Sequence, residues 1–150
     1  MTTRSPKKSD SLDRPRVLRT LLILFLIFVA SLMLARWRPN LAPWIGMLDG
    51  LAVGIGLGAA GLVRSYDESW DEFWETTAQV YLIGPLSLLH YWFRKETPSA
   101  FFWVGLAAEL MSYIMLCFVP PLIWLAADLM LFFGTFVGWL LSGFFRPEYY

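Results

Sequence analysis

Polar and apolar positions fall into long blocks along this chain and do not alternate. Residues 1–16 are almost wholly polar and include two prolines. They hold too little apolar area to fold alone and read as a disordered basic tail. Apolar runs then occupy 17–35, 41–63, 100–119 and 122–145. A bilayer core of about 30 Å needs around 20 helical residues, so each run predicts a membrane-crossing helix. Arg19 and Arg36 bracket the first run and can snorkel to the two surfaces, with Trp37 in the headgroup zone. Pro39, Asn40 and Pro43 predict a short turn into the second. Pro98 fits the start of the third with Thr97 as its cap, and Pro120–Pro121 predicts a tight hairpin into the fourth. Residues 146–150 form a short C-terminal tail.

The stretch 69–93 follows another pattern. Ser69 and Glu72 have the spacing of a capping box. Beyond them Trp70, Phe73, Trp74, Thr77 and Tyr81 share one helix side, and Asp71, Glu72, Glu75 and Gln79 the other. That is the layout of an interfacial helix, with Trp70, Phe73 and Trp74 as a docking face. Its polar side is acidic, which suits protein contact better than anionic lipid. Residues 78–93 are apolar but interrupted by Gly84–Pro85, and 16 helical residues reach only about 24 Å. Cationic residues decide between four spans and five. If 78–93 stays on one side, ten of the twelve Lys and Arg lie on the cytoplasmic side and two outside; if it crosses, the split is seven to five. The expected fold is therefore an all-α polytopic bundle of four spans (five being the alternative), with an interfacial or re-entrant segment at 69–93. Both termini are expected in the cytoplasm.

Composition agrees with this pattern. Of 150 residues, 57% are apolar and 16% charged, too few charges for a water-facing surface. Six of the twelve basic residues lie in the first nineteen positions, where they act as a topology signal and offer a contact to lipid headgroups. Zero net charge argues against nucleic-acid binding. No small-x-small site precedes Arg36–Trp37–Arg38, so the first span reads as an uncleaved anchor in a bacterial inner membrane. The single cysteine, Cys117, excludes an internal disulfide and is expected to be a small buried hydrophobe.

Two features inside the spans carry the functional expectations. Gly46, Gly50, Gly54 and Gly58 recur every fourth residue, echoed by Gly134 and Gly138 with Ser142 in the last span. Such a stripe lets a second backbone approach closely, either from another membrane chain or copy, or from a span of the same chain. Asp49, Glu109 and Asp128 lie within spans that have no mid-span Lys or Arg. A charge there costs at least about 2.5–3.5 kcal/mol. They read as protonated links between helices, as partners of basic or cofactor groups on another subunit, or as a proton or cation path. Their spacing matches no metal-ligand pattern, so no metal is expected. His90, the one histidine, is a weak candidate ligand for a haem or chlorin, and no other cofactor is expected. No phosphate loop, HExxH or paired-cysteine motif occurs. The expectation is a non-enzymatic membrane subunit, assembly factor or scaffold that packs through its glycine face against other membrane subunits or itself. A small ion, proton or solute transporter or channel using the three acids is the alternative.

Overall fold

Why the chain turns where it does follows from its prolines. In the computed structural model, which describes residues 14–59, 79–95 and 100–144, all regular structure among the described residues is helical. Helix α1 covers Arg14–Trp37 and α2 covers Ala42–Ala59, joined by a 3₁₀ turn at Pro39–Leu41. Residues 79–83 are helical and lead through a second 3₁₀ turn, Gly84–Leu86, into α3, Ser87–Arg94. Helix α4 covers Ala100–Met115 and α5 covers Pro121–Phe144. Three helical stretches, Pro15–Trp37, Pro39–Gly58 and Pro121–Ser142, are long and apolar enough to cross a membrane.

Some boundaries differ from the sequence reading. Helix α1 already includes Arg14, where the described residues start, so residues 14–16 are helical and not part of a disordered tail. Within it the Thr20 hydroxyl donates to the Arg16 carbonyl at 3.0 Å. Before Pro39, Arg38 leaves helical geometry (φ −132°, ψ 77°), as a residue preceding proline must. Its guanidinium lies 5.4 Å from the Trp37 ring centre. The third predicted span is α-helical only to Met115. Beyond it Leu116, Cys117 and Phe118 bond back three residues, to Tyr113, Ile114 and Met115 at 3.0–3.1 Å, and so tighten the chain before Pro120. Cys117 sits in this turn and is exposed, not the buried hydrophobe expected, because the tightened winding turns it outward.

The packing is built on α2 and α5, which make by far the most extensive contact. A Cβ added at Gly46 would meet Ala127, at Gly50 Leu131 and Thr135, at Gly54 Thr135 and Trp139, and at Gly58 Ser142. Residue numbers rise together along both helices, so α2 and α5 run parallel. The contact is reciprocal: Gly134 faces Met47 and Leu51, and Gly138 lies against Leu51, whose carbonyl oxygen would be 2.6 Å from an added Cβ. The glycine stripe is thus filled by the last helix of the same chain. Gly56 points elsewhere, under Leu24 and Thr20 of α1.

The chain therefore forms two helical hairpins, α1–α2 and α4–α5, set side by side with the second helices in contact. Near the proline turns Ala35, Ala42, Ile45, Met115, Val119 and Ala127 pack together. Leu24, Val53, Leu57, Ala108, Leu131 and Trp139 form the middle, joined there by Tyr81. Phe102, Leu106 and Val80 form the far layer, with Tyr91 edge-on to Phe102 at 4.6 Å.

Tyr81 and Val80 thus insert into the bundle and do not lie on its surface. The break that follows rests on Gly84, with φ +63°, whose added Cβ would lie 2.8 Å from the Tyr113 hydroxyl. Ser87 Oγ donates to the Gly84 carbonyl at 2.6 Å and closes the turn. The left-handed conformation alone costs a residue with a Cβ about 1–2 kcal/mol. Gly84→Ala is therefore expected to lower the melting temperature of the detergent-solubilised protein, whereas Gly105→Ala, facing only Val80 at 3.7 Å, leaves it unchanged or raises it. Equal melting of the two variants would contradict this placement. Beyond the break, α3 presents Trp92 (81% exposed) and Phe93 (80%) outward. The capping pair Ser69–Glu72, the docking residues Trp70, Phe73 and Trp74, and the cap Thr97 lie outside the described residues.

Candidate functional site

Helical spacing assembles the polar residues of the interior. On α4, Glu109, Ser112 and Tyr113 stand three and four positions apart and share a side. On α5, Trp124 and Asp128 are four apart, with Leu131 and Thr135 continuing the row. Asp49 on α2 is three residues beyond Gly46, next to the close α2–α5 contact. The three acids are buried, Asp49 at 2% exposure and Glu109 at 1%.

Each hairpin is pinned by a serine on its first helix and an aspartate on its second. Ser31 Oγ donates to Asp49 Oδ1 at 2.6 Å, and Ser112 Oγ donates to Asp128 Oδ1 at 2.7 Å. The correspondence extends to position: Ser31 and Pro39 are each 81 residues before Ser112 and Pro120, and the same offset relates Gly46 to Ala127, Gly50 to Leu131 and Gly54 to Thr135 across the contact. The second hairpin carries more. Trp124 Nε1 donates to the Ser112 carbonyl at 2.9 Å and to its hydroxyl at 3.1 Å. The Glu109 carboxyl lies beside the Asp128 carboxyl and the Tyr113 hydroxyl. Two carboxyl groups bond to each other only when one of them carries a proton. Glu109 Oε2 nevertheless remains buried with no partner.

Tyr81 fastens the inserted segment to the same region. Thr135 Oγ1 donates to the Leu131 carbonyl at 2.8 Å, so the 3.1 Å contact between Tyr81 and Thr135 is donated by Tyr81. A narrow cleft lies between the hairpins, with Phe28, Gly46, Asp49, Ser112 and Leu131 among its lining residues. Both serine–aspartate links therefore contribute a member to one cleft.

The acids singled out in the sequence do not form one cluster. Glu109 and Asp128 are joined, while Asp49 is across the cleft with Ser31. Asp49 and Asp128, the pair an aspartyl protease would need facing each other, have separate partners. Ser112 has no imidazole beside it, since His90 is exposed on α3 with its ring 5.8 Å from that of Tyr91. As a haem or chlorin ligand His90 would act from the outer surface. Among the described residues no three His, Cys, Asp or Glu side chains converge to hold a metal ion. Gly105, four residues before Glu109, is covered by Val80. Sequence reasoning missed Ser31, Trp124 and the Tyr81–Thr135 bond. One signal was available: Ser31 and Ser112 each stand eight residues before the proline that closes their hairpin. Such a set can bind helices together through hydrogen bonds.

Comparison with known proteins returned no matching family model, no matching curated protein and no matching solved structure.

Proposed function

We propose that this chain is a non-enzymatic, four-span membrane subunit or scaffold of a larger membrane complex, and that it offers its partners the outer side of α1. The observation that carries the reading is the division of labour among the helices. Helix α5 occupies the stripe of Gly46, Gly50, Gly54 and Gly58, so close backbone packing is used to build the chain itself. By contrast, Leu24 and Ala35 are the fully enclosed side chains described on α1, and Leu18, Leu22, Leu26 and Met33 stand open along it. Helices associate in lipid by packing, without a hydrophobic drive, and an open helix on a rigid core is suited to that.

The parallel course of α2 and α5 supports four spans. Two parallel helices that both leave proline turns on one side need α4 to run the opposite way. The described ends Ala59 of α2 and Ala100 of α4 then lie on the same side, and 78–93 is read as not crossing. With ten of the twelve cationic residues on that side, it is the cytoplasmic face, with both termini there, and a bacterial inner membrane is the matching location. The exposed aromatic edge of α3, Trp92 and Phe93, supplies a second contact at that surface.

Photo-reactive residues tested in native membranes at Met33 (71% exposed) and Leu26 (59%) are expected to yield covalent adducts with another polypeptide, either a different membrane subunit or a second copy. The same probe at Val53, fully buried, serves as the negative control. Adducts to lipid alone at both α1 positions would defeat the reading.

A further inference from the structure

The interior of the second hairpin holds an acid whose hydrogen bonding is incomplete. Glu109 lies eleven residues before Pro120, about 16 Å from the proline turn at 1.5 Å per residue, near the middle of a bilayer core of about 30 Å. Its carboxyl meets Asp128 and Tyr113, yet Oε2, enclosed by the bundle, has no donor. A bare carboxylate oxygen in an apolar interior is among the least favourable polar groups to bury. The groups facing the pair from the surrounding elements are Tyr113 on α4, Tyr81 on the inserted segment and Asp49 across the cleft on α2, with the Ser31 hydroxyl on α1 behind it. All are acidic or neutral. The described arginines and lysine lie at helix ends and are exposed wherever their side chains are described. No side-chain cation described in the bundle answers the carboxyl pair.

From this geometry we infer that Glu109, Asp128 and Ser112 form a proton-binding site at mid-membrane depth, which loads and unloads one proton through the cleft shared with Asp49. The chemistry is a single association. A proton arriving from water adds to a carboxylate oxygen of the pair, an O–H bond forms, and the site becomes more positive by one charge; release reverses each change. Ser112 connects the pair to the cleft, because its hydroxyl bonds Asp128 and it lines the opening. Trp124 holds that hydroxyl in place through its indole N–H, which makes it a positioning residue. The narrow, mainly apolar cleft suits a proton carried by water better than an organic solute. The site does not depend on the docking role of α1, and its test reads a different property.

The experiment is infrared difference spectroscopy of the full chain in lipid nanodiscs, titrated from acid to alkaline pH. The expected result is one carbonyl band of a buried, hydrogen-bonded carboxylic acid that disappears on titration. Glu109→Gln and Asp128→Asn, which keep shape and some hydrogen bonding, should each remove that titrating band. Trp124→Phe should retain it while slowing its hydrogen–deuterium exchange or shifting its frequency. Gel filtration of each variant reports whether it is folded; if one isostere fails to fold, the other isostere and the wild-type titration still decide. A carbonyl band that stays constant at every pH would reduce the pair to a fixed hydrogen-bonded link and overturn the proposal. So would a titrating band that survives in a folded Glu109→Gln or Asp128→Asn variant.

Discussion

Gly54→Leu is expected to abolish the folded protein in mild detergent, with loss of the monodisperse gel-filtration peak and of the cooperative melting transition. A Cβ at Gly54 meets the Thr135 carbonyl oxygen and the Trp139 backbone nitrogen, and one at Gly50 would lie 2.6 Å from the Thr135 nitrogen and 2.9 Å from the Gly134 carbonyl carbon. These are backbone atoms, which cannot rotate aside as a side chain can. Relief requires α2 and α5 to separate, and every close contact along the stripe weakens with them. Overpacking a core costs about 1–3 kcal/mol where side chains can adjust, so a clash with backbone should exceed that range. Gly56→Ala provides the contrast. Its nearest neighbours are the ends of Leu24 and Thr20 at 3.3 Å, atoms that can shift by a few tenths of an ångström. It should melt close to wild type, as helped by alanine's helix preference of about 0.5–1 kcal/mol over glycine. A Gly54→Leu protein that melts with wild type would refute the parallel α2–α5 packing.

Asp128→Leu should produce the second large loss. It removes the acceptor of the Ser112 hydroxyl and the partner of the Glu109 carboxyl in one step. A buried polar group left without its partner costs roughly 1–3 kcal/mol. The Ser112 hydroxyl can turn to its own helix backbone, so most of the penalty falls on Glu109. Asp128→Asn keeps an acceptor for Ser112 and gains an N–H₂ donor for Glu109, and should lose much less. The discriminating variant is the double replacement Glu109→Leu with Asp128→Leu. Replacing both partners by apolar groups is close to neutral in many buried pairs, so the double variant should melt above Asp128→Leu alone. Thermal melting followed by tryptophan fluorescence in one detergent measures the whole set. If the double variant lost the sum of the two single losses, the two carboxyls would not be partners.

Leucine at Gly50 or Gly54 has an effect on assembly only by first undoing the chain, because the stripe is an internal surface. Association with other subunits is therefore addressed from α1, where a bulky probe at Met33 disturbs no packed neighbour within the bundle.

The sequence by itself determined the helical elements, because the period and length of apolar runs are local and prolines interrupt them wherever they fall. Pro39 and Pro120–Pro121 marked the two hairpin turns, Gly84–Pro85 marked the break in the inserted segment, and the absence of mid-span cations left the three acids without charged partners. Those features need only neighbouring residues to act. The tertiary structure alone decided which surface the glycines face, that Ser31 belongs to Asp49 and Ser112 to Asp128, and that Tyr81 reaches Thr135 inside the bundle. Each of these joins residues on different helices. A stripe of glycines permits close approach by any backbone, and a buried carboxyl accepts any hydroxyl at the right depth. Such groups state what they require, while the rotation and register of the two hairpins settle what meets them.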